Sequence, residues 1–413
     1  MKIRYLTLAL ASTLTFSLPA FANTVEVLHW WTSGGEAKSA AELKKMIEAK
    51  GHTWKDFAVA GGGGDNAMTV LKTRVVSGNP PLAAQVKGPA IQEWATEGVL
   101  ANLDGIAKTE KWDSLLPPVV ANVMKYQGHY VAVPINVHRV NWMWVNPAVL
   151  NKAGVKAPKN WDEFDAIASK IEKAGFIAVA HGGQPWQDNT VFESVALGVG
   201  GPVYYDKAFV KLDPAAISSP TTLKAFDTLR MVRKHMDKDM SGRDWNLATA
   251  MIINDKAAMQ FMGDWAKGEF TAAGKVPGKD YLCLAAPGTA NAFTFNIDSF
   301  IVFQQKNKDT KATNDFASSV LSDSFQEVFN QNKGSIPVRL GHDMSKFDDC
   351  AKKSAADFVA TNKSGGLVPS FAHQMAQPSA AQGAIQDVVS SFMNSDMSSK
   401  DAVAKLLEAS KKR

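Results

Sequence analysis

Val25-Glu-Val-Leu-His-Trp-Trp-Thr-Ser-Gly-Gly-Glu-Ala-Lys38 runs from a segment of β-formers, across a glycine pair, into a helical pattern. Val25 to His29 predicts a short strand, and Gly34-Gly35 breaks it just before an amphipathic helix. Trp30 and Trp31 then sit at the carboxyl end of that strand, the edge where open α/β sheets bind ligands because loops there are free to line a crevice. Two indoles offer a broad apolar face, and Glu36 offers two acceptor oxygens for neighbouring hydroxyl groups. Such a pairing suits a sugar. The alternative puts the tryptophans in the core, on opposite faces of a buried strand.

Outward from this run, Leu43, Met46 and Ile47 fall at helical spacing, and Gly51 ends the helix. A strand is expected from Thr53 to Val59. The run Gly61-Gly62-Gly63-Gly64 leads into a helix with Met68, Leu71 and Val75 on one face. It lacks the Gly-Lys-Ser/Thr of a phosphate loop and reads as a turn that lets the backbone approach a ligand or a neighbour. Leu82 to Val86 is a third strand, followed by Lys87-Gly88 and a helix turning Ile91 and Trp94 inward. Strand and helix have now alternated three times, so a parallel sheet with right-handed crossovers is expected, with Lys87 on the same edge as Trp30, Trp31 and Glu36.

Tyr130 to His138 is strand-like but interrupted by Pro134, where the chain could cross to a second domain. Asn160-Trp-Asp-Glu163 opens a helix with a capping box. His181 to Gly201 predicts loops at a cleft around Trp186, and Trp245 lies in an isolated polar segment. Ala257 to Phe261 reads as a strand, with Trp265 just beyond its end. Phe293 to Phe303 reads as a strand with Asp298 set among apolar neighbours, where a carboxylate is costly unless paired or hydrogen-bonded. Lys333 and ligand hydroxyls are its expected donors. Lys333 ends a helix that Gly334 caps, and His373 follows Pro369 in a loop.

Lys2 and Arg4, the apolar run Tyr5 to Leu18 and Ala20-Phe21-Ala22 predict a signal peptide over residues 1–22, hence a periplasmic chain that is soluble rather than inserted in the membrane. What remains is longer than one core usually organises. A net charge of +5 without basic runs argues against nucleic-acid binding. The two cysteines, Cys283 and Cys350, predict a disulfide in an exported protein. The eight histidines are scattered singly, so neither a metal nor another cofactor is expected.

In order along the chain, Ser77-Gly-Asn-Pro-Pro-Leu-Ala-Ala84, Glu97-Gly-Val-Leu-Ala-Asn-Leu103, Asn146-Pro-Ala-Val-Leu-Asn-Lys-Ala-Gly154, Asn160-Trp-Asp-Glu-Phe164 and Met262-Gly-Asp-Trp265 resemble the extracellular solute-binding proteins of ATP-driven importers, in the group that includes the maltose-binding protein. Trp30-Trp31 with Glu36, Trp265, Asp298, Lys333 and His373 are most similar to its glucose- or glucose/mannose-binding members. The resemblance implies a two-lobed α/β periplasmic-binding-protein fold with three interlobe crossings, near Pro134, Phe295 and Lys333. The N-terminal lobe would take residues 23–134 and 296–332, and the C-terminal lobe 135–295 and 333–413. It further implies a monomer that closes on one monosaccharide and delivers it to an inner-membrane ABC permease. Indoles, Trp245 included, would stack on the pyranose while Glu36, Lys87, Asp298, Lys333 and His373 bond its hydroxyls. A chemoreceptor would be a second partner for the same molecule. The competing class is a periplasmic carbohydrate hydrolase using Glu36 and Asp298. Against it, nearby Lys87 and Lys333 would keep both carboxylates ionised and leave no general acid.

Overall fold

The computed structural model describes residues 23–305 and 310–412, so the expected signal peptide lies outside the described residues. Strand Thr24–His29 has parallel neighbours on both sides, Thr53–Ala58 and Ala83–Val86, as the strand-helix alternation requires. Two later strands, Ser299–Val302 and Ala132–Pro134, complete this five-stranded sheet, the first antiparallel to Ala83–Val86. The sheet is therefore mixed. Its core gathers Val25, Val27 and Leu28 with Leu43 and Ile47 of helix Gly34–Ala49, and with Phe300, Phe316 and Phe329.

A second body holds a four-stranded sheet in the order Leu282–Ala285, Trp142–Val145, Ala257–Phe261, Ile177–Val179. Its core takes Phe164, Phe192, Phe226 and Phe261, with Ile385 and Val389 from helix Ser379–Met393. A three-stranded sheet of Leu367–Pro369, Phe293–Asn296 and His138–Arg139 lies between the two. The disulfide Cys283–Cys350 joins the four-stranded sheet to helix Asp349–Ser364, with Cα atoms 6.0 Å apart. Closing its loop, a separation of 67 residues, stabilises by about 4 kcal/mol in the chain-entropy model. Among the described residues no helix is long and apolar enough to cross a membrane.

The chain leaves the five-stranded sheet between Pro134 and His138 and returns between Asn296 and Ser299. These passages are hydrogen-bonded to each other, Ile135 N–H donating to Asp298 O at 2.8 Å. A third segment joins them, since Val137 and Ile336 exchange backbone bonds of 2.9 and 3.0 Å. Beyond it, Ile336, Val338, Phe347 and Ala351 pack on the first core.

Three expectations are corrected here. Phe293–Phe303 is not one strand: Phe293–Asn296 and Ser299–Val302 belong to different sheets, and Asp298 stands in the link between them. The polar, glycine-bearing stretch after His181 is mostly a helix, Pro185–Tyr205. That helix is buried on nearly every side from Trp186 to Leu197, so it shows no apolar stripe to read. Its polar residues are tied down inside: Asp188 accepts from His181 at 2.9 Å, and Asn189 donates to Pro185 O at 2.9 Å. Trp245, finally, is the first residue of helix Trp245–Ile253 rather than part of a polar loop.

Candidate functional site

Trp30, Trp31, Glu36, Lys87, Trp245, Trp265, Asp298, Lys333 and His373 all line one cleft of ≈ 180 Å³ between the two bodies. The structure thus brings together every residue singled out from the sequence, although not all in the expected manner.

The tandem tryptophans part company. Trp30 is half-buried at the cleft, with the Lys87 ammonium 5.1 Å from its ring centroid. Trp31 is 2 % exposed, and its ring packs 5.1 Å from Phe329 and 5.6 Å from Phe300. Alternation along an extended segment sends adjacent side chains opposite ways, so one indole goes to the cleft and its neighbour mainly to the core. The stacking face expected of Trp31 is used inside the protein.

Glu36 sits in the first turn of helix Gly34–Ala49, and its Oε1 accepts from Lys333 Nζ at 2.7 Å. Lys333 reaches it from the last turn of helix Asp323–Lys333, which Gly334 ends in the left-handed conformation at φ 94. A side chain at Gly334 would also lie 2.2 Å from Asp264 O, so this close approach admits only glycine. Lys333 is therefore the partner of Glu36, which corrects its expected pairing with Asp298.

Asp298 is held instead by His138, whose Nε2 donates to Oδ2 at 3.0 Å. Asn136 Oδ1 accepts from the Asp298 backbone N–H at 3.1 Å. Burial pushes the Asp298 carboxyl up, but the His138 imidazolium outweighs it with help from Lys333 and Lys87, leaving it well below the ordinary carboxylate range. The internal ion pair, the plainer reading of a carboxylate in an apolar run, is what the fold builds. His138 was visible only as the last residue of an interrupted strand.

Lys87 is 4 % exposed, and among the described residues it makes no hydrogen bond or ion pair. Burial pushes its ammonium down, and Asp298 and Asp65 at longer range pull it back up. Its donors face the cavity without protein acceptors. His373 is buried too, with Nε2 2.9 Å from Thr190 Oγ1 and its ring 4.8 Å from that of Trp265. Burial, with Lys87 and His138 adding to it, pushes its imidazole well below the usual value, so the ring is neutral at pH 7.

Sequence reasoning also passed over Asn296, Gln184 and Asp244 in the lining, and placed Trp186 near a cleft without giving it a role. Trp186 lies 6.2 Å from Trp265 and donates through Nε1 to Gln184 Oε1 at 2.8 Å. The glycine run packs flat against this aromatic set: a Cβ on Gly63 would come 3.0 Å from the Trp186 ring, and one on Gly64 3.2 Å from Trp30. Close approach to a neighbour is thus its use. Among the described residues no group of acidic, His or Cys side chains could hold a metal ion.

Comparison with known proteins agrees with this architecture. A "Probable sugar-binding periplasmic protein" of Brucella suis biovar 1 (strain 1330) is 50% identical over 94% of this chain and 92% of its own length. Among solved structures, a chitin oligosaccharide binding protein superposes with a TM-score of 0.79 at 19% identity, covering 94% of this chain and 98% of that one. Maltose-bound T. maritima MalE3 gives 0.73 at 16% identity, over 94% and 98%. The fold is accordingly two-lobed, α/β and maltose-binding-protein-like. Residues 34–327 match the description of the bacterial extracellular solute-binding proteins, and with a relative this similar over nearly its whole length the chain belongs to that family.

Proposed function

We propose that this protein binds one neutral hexose, glucose or its epimer mannose, in the periplasm and delivers it to an inner-membrane ABC permease. The observation that carries this reading is the Lys87 ammonium, buried in the cavity wall with no protein acceptor. An adjacent hydroxyl supplies the missing acceptor and at the same time donates to Asp298 or Glu36, which is the give-and-take pattern of a polyol. Trp30, Trp245 and Trp265 supply apolar faces for the ring C–H groups. Size points the same way: at about 10–15 Å³ per water-sized group, 180 Å³ takes on the order of a dozen such groups, one sugar ring with its hydroxyls. The Brucella relative, named as sugar-binding and periplasmic, supports both the ligand class and the compartment.

A hydrolase is disfavoured by the same charges. Asp298 is held ionised and Glu36 is paired with Lys333, so neither is poised as the protonated acid that glycoside cleavage requires. Isothermal titration with glucose, mannose, galactose and maltose tests the proposal. Micromolar binding of a hexose, about −8 kcal/mol, is expected. No heat with any of them would overturn it.

We assign residues 23–134 with 296–332 to the N-terminal lobe and 135–295 with 333–413 to the C-terminal lobe, the segment after Lys333 leaning on the first core. Contacts across the cleft include Gly35 N–H to Glu269 Oε1 at 3.0 Å and Ser379 Oγ to Glu93 Oε2 at 2.6 Å. Such contacts belong to a closed state, which the sugar favours by bonding to both walls. Small-angle scattering should show contraction on adding saturating glucose; superimposable profiles would rule closure out.

A further inference from the structure

We infer that His138 is the positioning residue of the sugar site: an imidazolium shared by Asp264 and Asp298 that fixes the ligand-facing carboxylate to the crossings on which the lobes turn. This rests on the reading of the cleft as a hexose site.

The geometry is a chain of three buried groups. His138 Nδ1 donates to Asp264 Oδ1 and Nε2 donates to Asp298 Oδ2 at 3.0 Å, with all three side chains almost wholly buried. Asp264 follows the strand Ala257–Phe261 of the second lobe, and its other oxygen accepts from Arg139 N–H at 2.9 Å. His138 ends the first crossing and Asp298 lies in the second. Asn136, two residues before His138, donates to Ser335 Oγ in the third at 3.1 Å. One imidazole therefore stands where the crossings meet, and its ring also packs 5.2 Å from that of Trp265.

With Oδ2 engaged by His138, Asp298 Oδ1 keeps only a long 3.5 Å contact from Asn296 and has acceptor capacity left for a ligand hydroxyl. Charge sums favour the arrangement. Asp264 and Asp298 touch the ring, while Lys87, Lys333 and the neutral His373 lie around Asp298. Without a cation between them, two buried carboxylates would face each other and one would take up a proton. Burial pushes the His138 imidazole down, but the two carboxylates outweigh burial and hold it above its usual value. Its charge is thus lost only as pH rises past a value higher than that of an ordinary imidazole. The competing state is also visible: Asn136 Nδ2 lies 2.9 Å from His138 Nε2, so a neutral ring could accept from that amide.

Two measurements test the inference. Imidazole ¹⁵N NMR of the sugar-free protein at pH 7 should find His138 protonated on both nitrogens; a neutral ring would overturn it whatever the ligand. Titration of His138→Gln with glucose should show about tenfold weaker binding at pH 7, roughly 1.4 kcal/mol. At pH 5 the variant should weaken by about a further threefold as Asp298 takes up a proton, while the parent stays within about twofold. A folded variant matching the parent at both pH values would also overturn the inference. If the parent binds no hexose, the functional reading fails, and the NMR result still decides the role of His138.

Discussion

The two walls of the cleft are made of different chemistry on different scaffolds. On the five-stranded side and at the crossings stand the charges, Glu36, Lys87, Asp298, Lys333 and His138, at strand ends, helix ends and links hydrogen-bonded to one another. On the opposite side stand Trp186, Trp245 and Trp265, each at or beside the start of a helix, with a neutral His373. A charge-assisted hydrogen bond is short and directional, so its carrier must be held rigidly. An aromatic face needs only to lie flat and keep water out. On the proposed reading, the first wall would read hydroxyl orientation and the second would supply cover.

The largest effect should come from Trp31, which belongs to the first wall by sequence and to the core by packing. Trp31→Ala should lower unfolding free energy by about 3–5 kcal/mol in chemical denaturation. Unchanged stability with lost binding would make Trp31 a ligand contact rather than a core residue. Next, Asp298→Ala removes an acceptor from a buried imidazolium and from the sugar, at a cost of about 2–5 kcal/mol in glucose affinity. If the first wall reads orientation, titrations of this variant should show different losses for glucose and its epimers; equal losses would break the division of labour.

A smaller effect lies behind the second wall. Glu193 Oε2 accepts from Ser370 Oγ and Ala372 N–H, each at 2.8 Å, and so holds the loop that carries His373. Burial pushes its carboxyl up to about 7 despite these donors. A raised carboxyl contributes stability that is present below its unfolded value and lost as pH rises through about 7. The parent should therefore lose on the order of 1–3 kcal/mol between pH 5 and pH 8, and Glu193→Gln should lack that loss. A parent whose stability does not change over this range would place Glu193 outside the titrating groups. The smallest effect is expected at the half-exposed margin. Trp245→Ala should weaken all hexoses alike, by about tenfold or less, roughly 1.4 kcal/mol at most. Discrimination between epimers lost in this variant would mean that the second wall also reads hydroxyls.

Local pattern was enough for the three parallel strands that open the first sheet and for their contribution to the cleft, but not for Ser299–Val302, which runs antiparallel to both its neighbours. Strand Thr24–His29, the glycine break and helix Gly34–Ala49 follow from spacing and from glycine's conformational freedom, which act within a few residues. Pro134 marked a crossing for the same reason, because proline cannot continue a central strand. Cys283 and Cys350 were paired by compartment and number, and the structure joins them. Helix Pro185–Tyr205 escaped because burial on nearly every side erases the periodicity that betrays a surface helix.

What the sequence by itself determined is which chemistry enters the cleft: indoles, carboxylates and lysines at the ends of elements whose faces periodicity reveals. Only the tertiary structure decided who is paired with whom. His138 meets Asp298 from 160 residues away, and Lys333 meets Glu36 from 297. Buried charges seek partners through space, so the choice between Lys333 and His138 for Asp298 depends on how the crossings lie together, and no local pattern encodes that distance.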